Sequence, residues 1–326
     1  MYNNSSPLSA DDLDQAFIQG HFAAVFQPKL SLIDGRTLGV ESFIRWHHPE
    51  FGTLLPGEFL SFAGAEGRLQ DLTDLMLHEA ARVVSVWRSQ QRHWTVSVNL
   101  SAEDVDNPYL PNHICNLFTA YAIPSDAISV DVPEAALSED PDRRLSALAE
   151  LRKRGISIAL DTTGIDLLPP EKISAEYFSE LKIGGTSLIK FARSVSRSRK
   201  GLIAERLEAA AANGLTVTAT RVEDIETIRP LADMGFSAAQ GTFFRHPDTQ
   251  EGLENWSSDW LMPVLSGERP PRADTIARAR ADLADPDLLL LPDNDSTEIA
   301  EGDSKRLSQD TKPAEKQGDT FQVAVP

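Results

Sequence analysis

The chain has 326 residues, enough for one large domain with tails or for two ordinary domains, and its 41% hydrophobic content suits a globular protein with a sizeable core. A formal charge of −18 argues against a general DNA-coating or anionic-membrane role, while leaving room for a small anionic ligand held in a local site. The single cysteine, Cys115, excludes an intrachain disulfide and points to a reducing, cytoplasmic setting, and no apolar run approaches the ~20 residues that span a bilayer.

Met1 to Pro7 reads as a disordered start, in a polar and acidic segment unlike a signal peptide. Ser9 then caps a helix with acids in its first turn. Val25 to Trp46, VFQPKLSLIDGRTLGVESFIRW, reads as two strands joined by a turn at Asp34-Gly35. A helix follows over Asp71 to Arg88, where Leu72, Leu75, Leu77, Ala81, Val84 and Trp87 recur at helical spacing. Strands are predicted over Trp94 to Leu100, Ile128 to Val132, Ile156 to Asp161, Tyr177 to Ile183, Leu215 to Thr220 and Ala238 to Phe243. Helices are predicted between them over Asp106 to Tyr121, Pro141 to Arg154, Lys200 to Ala212 and Val222 to Met234. About eight strands alternating with helices favour an α/β barrel, with a doubly wound open sheet as the alternative. Residues 1–19 form an N-terminal extension and 20–260 the barrel domain, while 261–326 read as a Pro-rich and acidic linker with a largely disordered C-terminal tail. Within that tail Leu288 to Pro292 is an apolar island, either incidental or a docking motif.

In a barrel, acids at the carboxyl ends of different strands converge on one mouth. Glu41, Asn99, Asp131 and Asp161 each sit at or near such an end, and four oxygen ligands suit a hard cation such as Mg²⁺ or Mn²⁺. Taken singly, each is also an ordinary cap or turn residue. Likewise Gln27, Glu41 and Arg45 suit either a functional site or a hairpin whose polar residues only bond one another. The dense basic run Arg193 to Lys200 has no interleaved aromatic, so a solvated loop facing an acidic partner or the acidic tail fits it better than nucleic-acid binding.

Several of these stretches, in order and at fixed spacing, resemble the EAL domain, a bacterial family that hydrolyses or senses cyclic di-GMP. They are the hairpin with the HHPEFGTLLPGEF that follows it, VNLS at Val98 to Ser101, LKI at Leu181 to Ile183 and AQGTFF at Ala239 to Phe244, so that the similarity covers roughly residues 20–256. The resemblance implies a modified (β/α)8 TIM-like barrel with an antiparallel first strand. It also implies a first metal site at Glu41, Asn99, Asp131 and Asp161, with Asp131 one methylene shorter than the family's Glu. The signature triplet reads Glu41-Ser42-Phe43, so only its acid is kept. The acids that complete the family's second metal site fall at Thr162 and Thr220, and an aspartate of the family falls at Gly184. Two-metal hydrolysis needs both cations, so losing these carboxylates leaves at most one.

Other positions carry over by the same resemblance. Lys182 matches the lysine that helps place the attacking water, and Glu134 the acid that anchors the loop after Asp161. In the family that loop couples dimerisation to catalysis; its prolines and aliphatics here, Gly164 to Pro170, put a homodimer role in question. Gln27, Arg45 and Gln240 match residues that hold the nucleotide; Phe244 and Pro247 match the segment beside the guanine. Phe43 replaces a leucine, and its ring either stacks on a base or fills the barrel rim. Arg221 either pairs with a phosphate oxygen or with Asp224 or Glu223. The sequence therefore reads as a catalytically degenerate EAL-domain regulatory protein, acting as nucleotide receptor, protein-interaction module or both. A weak metal-dependent phosphodiesterase and a nucleotide-independent adaptor are its rivals.

Overall fold

The computed structural model describes residues 8–162, 168–184 and 200–266. Four expectations fall wholly or partly outside them: the start at Met1 to Pro7, most of the loop after Asp161, the basic run before Lys200, and the tail with its Leu288 island.

Chain order sets up the barrel. Helix α1 (Ala10–Gln19) opens with a reciprocal cap, Ser9 and Asp12 each satisfying the other's backbone N–H. Strands β1 (Phe22–Ser31) and β2 (Thr37–His48) form the hairpin, and β3 (Gly52–Leu54) folds back on the end of β2. Helices α2 (Pro56–Ala65) and α3 (Leu69–Ser89) lead to β4 (Thr95–Asn99). Next come α4 (Ala102–Val105), α5 (Leu110–Ala120), β5 (Ile128–Pro133), α6 (Pro141–Lys153), β6 (Ser157–Thr162) and β7 (Glu180–Ile183). After them stand α7 (Lys200–Ala212), β8 (Thr216–Ala219), α8 (Ile228–Asp233), β9 (Ala238–Gln240), α9 (Gln250–Glu254) and α10 (Met262–Leu265).

β1 pairs antiparallel with both β2 and β9, while β2, β4, β5, β6, β7, β8 and β9 run parallel in succession. The sheet is therefore a closed mixed barrel of eight strands with β3 appended, as the resemblance implies, and not an open doubly wound sheet. Among the described residues no helix is long and apolar enough to cross a membrane.

Alternation along the strands separates two environments. Val96, Val98, Ile128, Val130, Val132, Ile158, Leu160, Leu181, Ile183 and Val217 share one parity and are buried in the core that the outer helices cover. Ser97, Asn99, Ser129, Asp131, Ala159, Asp161, Glu180, Lys182 and Thr218 share the other, toward the barrel axis. Branched aliphatics usually fill such an axis; here charged and hydroxyl groups do. Lys29 donates to both Glu180 carboxylate oxygens, at 2.9 and 2.7 Å, and Thr218 donates to the same Glu180. A buried charge is tolerable only when paired in this way.

Several elements differ from their sequence-based bounds. The region predicted as one helix from Val222 holds a 3₁₀ turn, Ile225–Thr227, and only six residues of α-helix, because Val222 is itself engaged with the end of β9. Its N–H donates to Gln240 O at 3.0 Å and its carbonyl accepts from Phe243 at 3.0 Å. A Cβ on Gly241 would stand 2.2 Å from this backbone, so only glycine lets the two segments meet, and β9 stops at Gln240. Helix α2 and strand β3 have no counterpart in the sequence reading. Past Trp260, where a linker is expected, Leu261 is fully buried and Met262 begins a helical turn.

Candidate functional site at the barrel mouth

Closure of the barrel builds the site. The hairpin register sets Gln27 opposite Glu41, and the pairing of β1 with β9 sets Lys29 opposite Gln240. Parallel register then aligns Glu41 with Ser97, Asn99 with Asp131, and Asp161 with Lys182.

Glu41 is the hub. Its Oε1 accepts from Asn99 Nδ2 at 3.0 Å; its Oε2 accepts from Lys182 Nζ at 2.9 Å and from Gln240 Nε2 at 3.0 Å. Gln240 also donates to Gln27 Oε1 at 3.1 Å, and Gln27 donates to the Arg245 carbonyl at 3.0 Å. Lys182 donates to Asp131 Oδ2 as well, so one ammonium bridges two acids. Burial opposes the charge on Lys182, but Asp131, Glu41, Glu180 and Asp161 together outweigh it and hold its pKa well above the ordinary value. Burial likewise opposes the charge on Glu41, where Lys182, Asn99 and Gln240 prevail and its pKa is lowered. On Asp131 burial wins over Lys182, and its pKa is raised to about 7.

These residues line or underlie a cavity of about 730 Å³, within the roughly 300–1,000 Å³ typical of small-ligand sites. Gln27, Glu41, Phe43, Arg45, Asn99, Asp161, Thr220, Arg221, Gln240 and Pro247 all face it. Arg221 holds a left-handed backbone, φ 59°, where the chain turns off β8.

Other expected residues lie elsewhere. Asp131 and Lys182 are sealed beneath the cavity floor. Phe244 is not on the cavity wall: it is buried edge-on to Phe243, ring centroids 5.4 Å apart, and against Trp260. It therefore supports the rim from behind. Glu134 is buried off the cavity, where its Oε1 accepts from Leu168 N at 2.9 Å and from Arg206 at 2.6 Å. Arg206 of α7 also donates to the Leu168 carbonyl at 3.1 Å. This clamp holds Leu168 against α7. Sequence reasoning missed Arg206, which sits in an ordinary-looking helical segment, and His246, which faces the cavity.

The far half of the mouth has a different chemistry. Thr162 ends β6, and Gly184 and Thr220 follow β7 and β8. Gly184 N donates to Thr162 O at 3.0 Å, and Thr220 N donates to Ile183 O at 2.9 Å. A Cβ built on Gly184 would lie 2.1 Å from Thr220 Oγ1, so the threonine fills the space that an aspartate at 184 would need.

A divalent cation has a partial fit. Asp131 Oδ1 and Gln240 Oε1 are buried without a hydrogen-bond donor, and Glu41, Asn99 and Asp161 offer oxygens on the wall. Yet among the described residues no three carboxylates of the mouth bring one oxygen each within 4.8 Å of one another. The Lys182 ammonium lies between Glu41 and Asp131 and neutralises them directly. The oxygen donors suit a hard cation.

A closed α/β barrel with an antiparallel strand and an acidic, amide-lined mouth at its strand ends defines a barrel protein with a small-ligand pocket. The family model for the EAL domain matches residues 10–247, and the chain belongs to that family. An uncharacterized protein of Mycobacterium tuberculosis is 32% identical over 237 residues, covering 70% of this chain and 76% of the relative. The cyclic di-GMP phosphodiesterase PA2567 of Pseudomonas aeruginosa is 28% identical over 238 residues, 72% of this chain and 40% of that protein. Among solved structures, the PaMucR phosphodiesterase in complex with c-di-GMP superposes with a TM-score of 0.69 at 26% identity, over 74% of this chain and 98% of that one.

Proposed function

We propose that this chain is a catalytically degenerate EAL-domain regulatory protein that binds cyclic di-GMP in the barrel mouth and conveys its bound state to a protein partner. One observation carries the proposal: Thr162, Gly184 and Thr220, at or just past the ends of β6, β7 and β8, bring no carboxylate to join Asp161, so the acids that would complete a second cation site are absent there. Hydrolysis by a two-cation site requires both ions to polarise the phosphate and activate water.

Binding needs less. Arg45 and Arg221 supply positive charge for phosphate oxygens, and Gln27 and Gln240 supply amide groups beside them. Phe43 and Pro247 give apolar surface for a base. Glu41, Asn99, Asp131 and Asp161 would hold a single Mg²⁺ or Mn²⁺, which when bound neutralises phosphate charge. Lys182 keeps a positive charge at the floor of the same pocket with or without the ion. The relation to a phosphodiesterase crystallised with c-di-GMP supports the choice of ligand. A cytoplasmic location, a regulatory partner and a homodimer belong to the same proposal.

Calorimetric titration of cyclic di-GMP into the protein, with Mg²⁺ and with EDTA, followed by chromatography of the nucleotide, tests it. Binding with the nucleotide recovered intact is expected. Absence of heat in both buffers defeats the receptor reading, and steady appearance of the linear dinucleotide defeats the degenerate one.

A further inference from the structure

The outer face of α3 carries ligating side chains that the barrel mouth does not use. Asp74 and His78 stand one helical turn apart, which places them on the same face. His113 meets them from α5, which packs alongside α3. Asp74 Oδ1 lies 2.6 Å from His113 Nε2 and 3.9 Å from His78 Nε2. One ligand atom from each of the three residues lies within 4.8 Å of the other two.

A solvated His–Asp pair is the plain account of such a face. Two features go beyond it. First, both imidazoles present the same atom, Nε2, to one carboxylate oxygen, while His78 Nδ1 faces the Tyr121 hydroxyl at 3.4 Å. A ring whose other nitrogen has a partner is oriented as metal-ligating histidines are. Second, His113 Nε2 is sealed from solvent and makes no hydrogen bond of ordinary geometry, although the ring is partly exposed. Its 2.6 Å contact with Asp74 Oδ1 is a poorly aligned pair that a cation held by both atoms would replace.

We propose that Asp74, His78 and His113 form a binding site for Zn²⁺ or a similar first-row divalent cation, clipping α3 to α5 with an open position left for water. Two imidazole nitrogens and one carboxylate oxygen are the donor set of an open zinc site. Ligands about 2.0–2.1 Å from a tetrahedral ion stand roughly 3.4 Å from one another. The present spacings from Asp74 Oδ1, 2.6 Å to His113 and 3.9 Å to His78, lie on either side of that value. The exposure of Asp74 and His78 gives the ion an entry path. The chemistry differs from that of the mouth, whose acids and amide suit a hard, oxygen-seeking cation. Because an ion joining two helices binds the folded chain in preference to the unfolded one, it raises thermal stability by mass action.

Equilibrium dialysis of the full chain against zinc alone tests the site, with His78→Ala and His113→Ala run in parallel. Comparing wild type with variants cancels any zinc held at the mouth. Wild type is expected to retain one more zinc per chain than either variant, with affinity at the site weakened at least tenfold by each change. Zinc is also expected to raise the Tm of wild type and not of the variants. Equal zinc retention by all three proteins overturns the site, and retention without a Tm rise overturns the clip. His78 is half-exposed, so its variant keeps the test decisive even where the more buried His113→Ala proves unstable.

Discussion

The two sides of the barrel mouth are built on the same strand register and differ in how many acids they carry. On the β2, β4 and β5 side, Glu41, Asn99 and Asp131 form one bonded array with Lys182 and Gln240. On the β6, β7 and β8 side, Asp161 and Lys182 are charged, but Thr162, Gly184 and Thr220 add no carboxylate, and Thr220 Oγ1 stands where a Cβ on Gly184 would lie. A barrel holds its architecture through the apolar residues on the helix-facing parity, so the mouth is free to change one half at a time. The groups of the charged array also satisfy one another: each buried charge in it has a partner whose loss would be costly.

The comparison can be broken most forcefully at Lys182. Replacing it by Met leaves Glu41 and Asp131 buried without their shared cation and is expected to cost about 3–5 kcal/mol, read by denaturant unfolding. A loss well under 1 kcal/mol would mean that the array does not depend on its ammonium.

On the other side, Gly184→Ala is expected to cost about 1–3 kcal/mol by driving a methyl into Thr220 Oγ1. The same change in a Thr220→Ala background should cost much less, and a double-mutant cycle measures the difference. Additive effects would show that the two residues are not in competition for space.

Restoring acids sharpens the functional contrast. Thr162→Asp combined with Thr220→Glu is expected to raise Mn²⁺-dependent hydrolysis of cyclic di-GMP above the parent rate, followed by chromatography. A double variant that binds two cations and still gives no product would move the defect away from the missing carboxylates.

The smallest effect lies beneath both halves, at Glu180. Burial opposes its charge, but Lys29, Lys182 and Thr218 outweigh burial and lower its pKa. A carboxylate lowered in the fold contributes stability that is present above its unfolded value, about 4.3, and lost as pH falls through the folded one. Glu180→Gln should therefore flatten the acid side of a Tm-against-pH curve. An unchanged slope would remove Glu180 as a contributor.

Much of this was legible in the chain. The DG turn between alternating runs pointed to the antiparallel hairpin, while the exchange of strand and helix patterns favoured a barrel over an open sheet only alongside the resemblance to the EAL family. Asn99 and Asp161 lie at strand ends that the sequence shows, but Glu41 sits within β2, and it was the resemblance that joined the three in one site. Phe244 was harder. Its motif is next to Gln240, but the close approach of Gly241 to Val222 ends β9 and sends the ring into the core against Trp260.

The sequence by itself determined the order of elements and the chemical types available to the mouth, because turn chemistry and hydrophobic period are local. Tertiary structure alone decided which polar atoms meet. Gln240 bonds Gln27 across 213 positions, Lys29 bonds Glu180 across 151, and Arg206 clamps Glu134 across 72. Each pair exists only because closing the barrel, or packing a helix on it, brings distant residues to one level. No periodicity along the chain encodes that meeting.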